Sequence, residues 1–222
     1  MRQNTIPDPP NDVAAAIAQR TLARRGADYT GEVRRLLDAA LDVMRRSGTS
    51  SRARVADIVA AAGLSNEAFY RHFPSKDALV DALLEDGAAR LRSYLEHQMA
   101  KERTPEGQVR RWVAGVLSQA DDEIAETTRA VLYNSGGGAE GLASGRHFAS
   151  GPLATLLREP FRALGCDRPE LAASFVAHAV LGSLSDHLWR RTKPAREETD
   201  QIVDLCLTVA RGPARARVKR TR

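Results

Sequence analysis

Arg54-Val-Ala-Asp-Ile-Val-Ala-Ala-Ala-Gly-Leu-Ser-Asn-Glu-Ala-Phe-Tyr-Arg-His-Phe-Pro-Ser-Lys76 is the stretch whose reading decides the fold. Val55, Ile58, Val59 and Ala62 recur at helical spacing, so one face of a short helix is apolar. Gly63 ends that helix, because glycine enters the left-handed conformation without a Cβ clash. Ser65 stands where a hydroxyl caps the next helix by accepting a hydrogen bond from an amide of its first turn. Phe69 and Phe73, four residues apart, anchor this second helix to a core and turn Asn66, Glu67, Tyr70 and Arg71 outward. Pro74 stops it, and Ser75 caps a further helix with Lys76 in the first turn. The pattern is a helix-turn-helix, and an outward tyrosine and arginine on so short a helix suit phosphates and base edges.

On the N-terminal side, Thr30 is placed to cap a helix running to about Arg46, with Val33, Leu36, Leu37, Ala40, Leu41 and Met44 on one face and Gly48 closing it. Three helices between residues 30 and 73 then share one small core. On the C-terminal side, the helix that starts at Ser75 carries Leu79, Leu83, Leu84, Ala88, Leu91 and Leu95 and is long enough to reach a second domain. Thr104-Pro105-Glu106 opens another helix, and one more is expected over 122–133. The run from Ser135 to Gly145 holds Gly136, Gly137, Gly138, Gly141 and Gly145 and predicts a flexible loop. It lacks the Gly-Lys-Ser/Thr ending and the preceding strand of a phosphate loop. Helices are expected again over 152–164 and, after an Asp167…Glu170 capping box, over 168–191. The latter is apolar around most of its girth through Leu171, Phe175, Val176, Val180, Leu181, Leu184 and Leu188, so it needs cover on two sides. A last helix over 196–210 presents Ile202, Leu205, Cys206 and Val209. No segment alternates as a strand would, and the expected fold is all-α. It comprises an extension over 1–29, a three-helix helix-turn-helix domain over 30–76, a larger helical domain over 77–211 and a basic disordered tail over 212–222.

Composition agrees with a globular chain: 222 residues, 43% hydrophobic, formal net charge +5 from 33 basic and 28 acidic side chains. No apolar run approaches the roughly 18 residues that span a bilayer, and no leader pattern opens the chain, so a cytoplasmic location and no membrane association are expected. Cys166 and Cys206 are too few for a disulfide framework and read as buried reduced thiols. The mild basic excess favours a polyanionic partner, and its distribution says more. Arg211, Arg215, Arg217, Lys219, Arg220 and Arg222 form an acid-free tail that either adds salt-dependent affinity for DNA or merely solubilises. The stretch to about residue 29 holds Pro7, Pro9 and Pro10, then an alanine-rich possible helix and Arg20, Arg24 and Arg25, an arm that can reach a minor groove or remain passive. His147, His178 and His187 make no His-x-x-x-His or Glu-x-x-His pair, so neither metal, cofactor nor catalysis is expected.

The stretch Ala62-Gly-Leu-Ser-x-x-x-Phe-Tyr-Arg-His-Phe-Pro-Ser-Lys-x-x-Leu79 closely resembles the DNA-binding headpiece of the TetR family of bacterial transcriptional regulators, over about residues 30 to 80. Beyond that, the chain is similar only in length and helical character. The resemblance implies a homodimer whose last two long helices pair in a four-helix bundle and present two recognition helices to a palindromic operator on double-stranded DNA. It also implies a repressor released when a small molecule in the second domain shifts the fourth helix, in which Gly87 can give. Asn66, Ala68, Tyr70, Arg71, His72 and Lys76 match the family's DNA-facing positions, with Ser65 as their cap. Tyr70 and Lys76 look like phosphate contacts, Asn66 can pair with adenine, and Arg71 can reach guanine or a phosphate. His72 can face DNA or pack under the headpiece. Two positions depart from the family: Glu67 replaces a usual glycine, proline or lysine, and Ala68 a hydroxyl residue. Glu67 either accepts from cytosine or leans away from the groove, while Ala68 offers only a methyl group. Trp112, Tyr133, Phe148 and His178 are candidate linings for the effector pocket, with plain core packing as the alternative for each. The rival function is an architectural DNA protein without sequence preference, for which residues 100 to 210 are superfluous.

Overall fold

Apolar residues at helical spacing gather into two cores, one on each side of a long shared helix. The computed structural model describes residues 13–135 and 138–211, with side chains described at 26, 28–135 and 149–211. In chain order its helices are α1 (Val13–Ser47), α2 (Val55–Ala62), α3 (Asn66–His72), α4 (Lys76–Met99), α5 (Pro105–Leu117), α6 (Asp122–Asn134), α7 (Gly138–Ala163), α8 (Pro169–Arg190) and α9 (Arg196–Arg211), with a 3-10 turn at Ser118–Ala120. There is no strand among the described residues. The all-α expectation holds.

The first core closes over Leu36, Ala40, Met44, Ile58, Phe69, Leu79 and Val80, none of which has exposed surface, and it also takes in Ala130 and Val131 of α6. The second gathers Leu95, Val109, Trp112, Val113, Val116, Leu153, Leu157, Phe161, Val176, Val180 and Val203. Helix α4 serves both, giving Leu79, Val80 and Leu83 to the first and Ala88, Leu95 and Met99 to the second. The headpiece is therefore not closed by residues 30–76 alone, since α4 and α6 complete it.

Several expected boundaries move. Thr30 does not cap α1, which is already helical from Val13; its Oγ1 donates instead to the Gly26 carbonyl at 2.9 Å. The alanine-rich run ahead of it favours helix, and a threonine that bonds back one turn is tolerated inside one. Arg20, Arg24 and Arg25 thus lie on the α1 backbone, while their side chains, residues 1–12 and the 212–222 tail fall outside the described residues. The glycine-rich segment is helical from Gly138, so the expected loop shrinks. Each interior glycine costs helix only about 1 kcal/mol, and packing of the helix of which it is part overrides such a preference. Asp167 and Glu170 do not form a capping box: α8 starts with Pro169 at its first position and no side-chain cap, and Glu170 pairs with Arg162 of α7 at 3.1 Å. The inward stripe of α9 is Val203, Cys206, Leu207 and Ala210, leaving Leu205 66% exposed. Burial pushes the Cys206 thiol up to about 11, whereas Cys166 is only half-buried.

Candidate nucleic-acid interface and adjoining cavity

The helix-turn-helix is built by backbone caps of short reach. Gly63 takes φ 63°, its N–H donates to the Ala60 carbonyl, and the Leu64 N–H reaches back to Val59 at 2.9 Å, which satisfies two of the end carbonyls of α2. Ser65 Oγ accepts from the Ala68 N–H at 3.1 Å and Ser75 Oγ from the Ala78 N–H at 3.1 Å, so α3 and α4 both start on a serine. Phe69 and Phe73 are buried with ring centroids 5.9 Å apart, and they set the rotation of α3. That rotation exposes Asn66, Glu67, Tyr70 and Arg71 on one surface, with the half-buried Lys76 beginning α4 beside them.

Two of the sequence-derived contact residues face the other way. Ala68 is buried, so it offers no methyl group to a groove. The His72 side chain has no exposed surface; its Nε2 lies 2.7 Å from Glu32 Oε2 of α1, and its ring stands edge-on to Tyr29 with centroids 4.2 Å apart. Ala68 and His72 lie four residues apart, as do Phe69 and Phe73, so the inward face of α3 is wider than the two phenylalanines alone imply. His72 Nδ1 is buried without a hydrogen-bond partner. The His72 hydrogen bond, aided by the Arg71 and Arg35 charges, holds the Glu32 carboxyl below its ordinary range. Arg71 reaches the same carboxylate at 3.4 Å while staying half exposed. Tyr29 and Glu32 were not visible as site residues in the sequence, because only the fold brings α1 against the end of α3.

A cavity of about 780 Å³ opens beside the headpiece, between α4, α6 and α8. Leu83, Leu84 and Leu91 of α4, Ile124 and Val131 of α6, and Leu181, Leu184 and Leu188 of α8 make it largely aliphatic. Tyr94, Thr127, Thr128, Gln119, Ser185 and the paired Asp86 and Arg90 add polar groups. Of the pocket candidates from sequence, Trp112, Tyr133 and His178 are not among its lining residues. Trp112 is core, its Nε1 donating to the Leu153 carbonyl at 3.1 Å; Tyr133 sits under Arg52, 5.9 Å from its ring centre; His178 is exposed and bonds the Ser174 carbonyl at 2.7 Å. The Phe148 side chain lies outside those described. The cavity walls are mostly aliphatic side chains and threonines whose spacing is that of any buried helix, with Tyr94 among them. Among the described residues no His, Cys, Asp and Glu cluster fits a metal ion, and no helix is long and apolar enough to cross a membrane.

Residues 36–83 match the family described as bacterial regulatory proteins, tetR family. No curated protein sequence matches the chain closely enough to count as a relative. Among solved structures, RolR in complex with resorcinol is 17% identical, with a TM-score of 0.61 over 82% of this chain and 88% of that one. FadR from Bacillus subtilis in complex with stearoyl-CoA is 18% identical at TM-score 0.52, covering 79% and 94%. A tetR-family regulatory protein from Rhodococcus RHA1 is 17% identical at TM-score 0.53, covering 81% and 96%. At these identities the structures establish a shared fold.

Proposed function

We propose that the chain, whose residues 36–83 match the tetR family of bacterial regulatory proteins, is a sequence-specific repressor that a small molecule releases from its operator. A DNA-binding transcriptional regulator, not an enzyme, is what family and fold support. The observation that carries the finer reading is the serine-capped α3 with Asn66, Glu67, Tyr70 and Arg71 outward, next to a cavity that shares α4 with it. Tyr70 and Lys76 bind phosphates and fix register, the lysine beside the N-terminus of α4. Asn66 and Arg71 read base edges, and Glu67 accepts from cytosine. Ala68 and His72 have no place in that contact set; they hold α3 in position.

The cavity takes the effector. Its aliphatic walls with scattered hydroxyls favour an amphipathic organic molecule, and the ligands named for RolR and FadR support that class. The effector must bind the released form more tightly than the DNA-bound form, by about 3 kcal/mol for a 150-fold drop in operator affinity. Exposed Leu171 and Phe175 on α8 and Leu205 on α9 support a twofold dimer that buries them, which sets two recognition helices about 34 to 36 Å apart on a palindrome. Selection of bound fragments from randomised duplexes tests the reading. A palindrome is expected; no enriched sequence would establish the architectural alternative instead. Tyr70→Phe and Lys76→Ala should weaken binding about equally on all sequences, whereas Asn66→Ala should relax preference at one position per half-site, at a cost of about 1–3 kcal/mol on the preferred base.

A further inference from the structure

Besides the continuous α4 and the packing of Ala130 and Val131 of α6 into the first core, the second domain holds the headpiece at the turn between α1 and α2. Asn134, the last residue of α6, is 1% exposed; its Oδ1 accepts from the Ala53 N–H at 2.9 Å while its Nδ2 donates to the Ala130 carbonyl at 2.9 Å. Ala53 is itself buried, and it lies two residues before α2. Arg191, just after α8, donates to Thr49 Oγ1 at 3.0 Å from a left-handed backbone of φ 54°, which L residues rarely adopt. Arg52 in the same turn lies over the Tyr133 ring. Three side chains from two helix ends thus close on one short turn.

Those two helices also form cavity walls. Val131 lines the cavity one helical turn before Asn134, and Leu188 lines it one turn before Arg191. Anything that shifts these walls shifts the two headpiece contacts with them, because a helix moves as a rigid rod over so short a distance.

We propose that Asn134 and Arg191 are positioning residues that carry cavity occupancy to the α1–α2 turn, a second route into the helix-turn-helix beside α4. The inference rests on the reading of the cavity as the effector site and the headpiece as the DNA site. Asn134 carries the larger share, since its carboxamide ties a buried backbone N–H of the headpiece to the end of α6. Coupling between two sites is reciprocal, so DNA on the headpiece must act back on the cavity walls, and no effector is needed to measure it.

The test is amide hydrogen exchange of the full chain with and without a duplex that it retains. In the wild type, DNA should slow exchange over 124–134 and 184–191 by roughly fivefold or more. Arg191→Ala, at an exposed side chain, and Asn134→Leu should each cut that response to less than about twofold while leaving the α4 response over 79–95 in place. An unaltered α6 and α8 response in both Arg191→Ala and Asn134→Leu overturns the route, as does a wild type in which DNA slows only α4. A wild type that retains no duplex overturns the functional reading itself, and the route with it.

Discussion

Glu32 and His72 show what a single pair does for the headpiece. The imidazole hydrogen bond favours the carboxylate, so the folded pKa of Glu32 lies below its ordinary 4.5. A depressed carboxyl stabilises the fold above the unfolded pKa and loses that contribution as the pH falls through the folded value. Stability should therefore decline below about pH 4.5 in part through Glu32. Glu32→Gln should lower stability near neutral pH and flatten that acid limb, as read by urea unfolding across the acid range. An acid limb of unchanged slope would assign it to other carboxylates. The caps at Ser65 and Ser75 were legible in the sequence because each acts on an amide three residues on. Packing of His72 under the headpiece was one of two readings, but its partner Glu32 was not legible, because it lies forty positions away on α1.

Helices repeat the lesson at larger spacing. Residues 55–62, 66–72 and 76–99 formed where the apolar period, Gly63 and the two serines placed them. The start of α1 and the first turns of α7 did not, since threonine and glycine are weak local signals that neighbouring helix overrides. Close approach of two helices is likewise invisible along the chain. Gly115 of α5 meets α4 so tightly that an added Cβ would stand 2.4 Å from Leu95 Cδ2 and 3.3 Å from Tyr94 Cε1. Leu95 has no exposed surface into which to retreat. Gly115→Ala gains about 1 kcal/mol in helix propensity but overpacks at about 1–3 kcal/mol. A net loss of about 1 kcal/mol is expected from chemical denaturation, with Tyr94 displaced at the cavity wall. A stabilised variant would mean that α4 and α5 can separate at little cost.

For the whole molecule, the unpartnered residues decide what remains to be assembled. Phe175 is 63% exposed and Leu171 55%, on an α8 whose other side is core. The sequence expectation of cover on two sides is met by the chain itself on one side only. Phe175→Glu should leave the monomer folded, halve the mass measured by light scattering and weaken operator binding by roughly 100-fold or more, as avidity between two headpieces is lost. An unchanged mass would mean that no dimer forms or that its contact lies elsewhere.

Helix type, the turn at Gly63, the caps and the outward set Asn66, Glu67, Tyr70 and Arg71 could be read without coordinates, because each depends on residues within about four positions of one another. The inward turn of His72 toward Glu32, the aliphatic cavity and the grip of Asn134 and Arg191 on the α1–α2 turn could not. They are contacts between helices far apart in the chain, and periodicity records which face of a helix is apolar but not which neighbour will cover it.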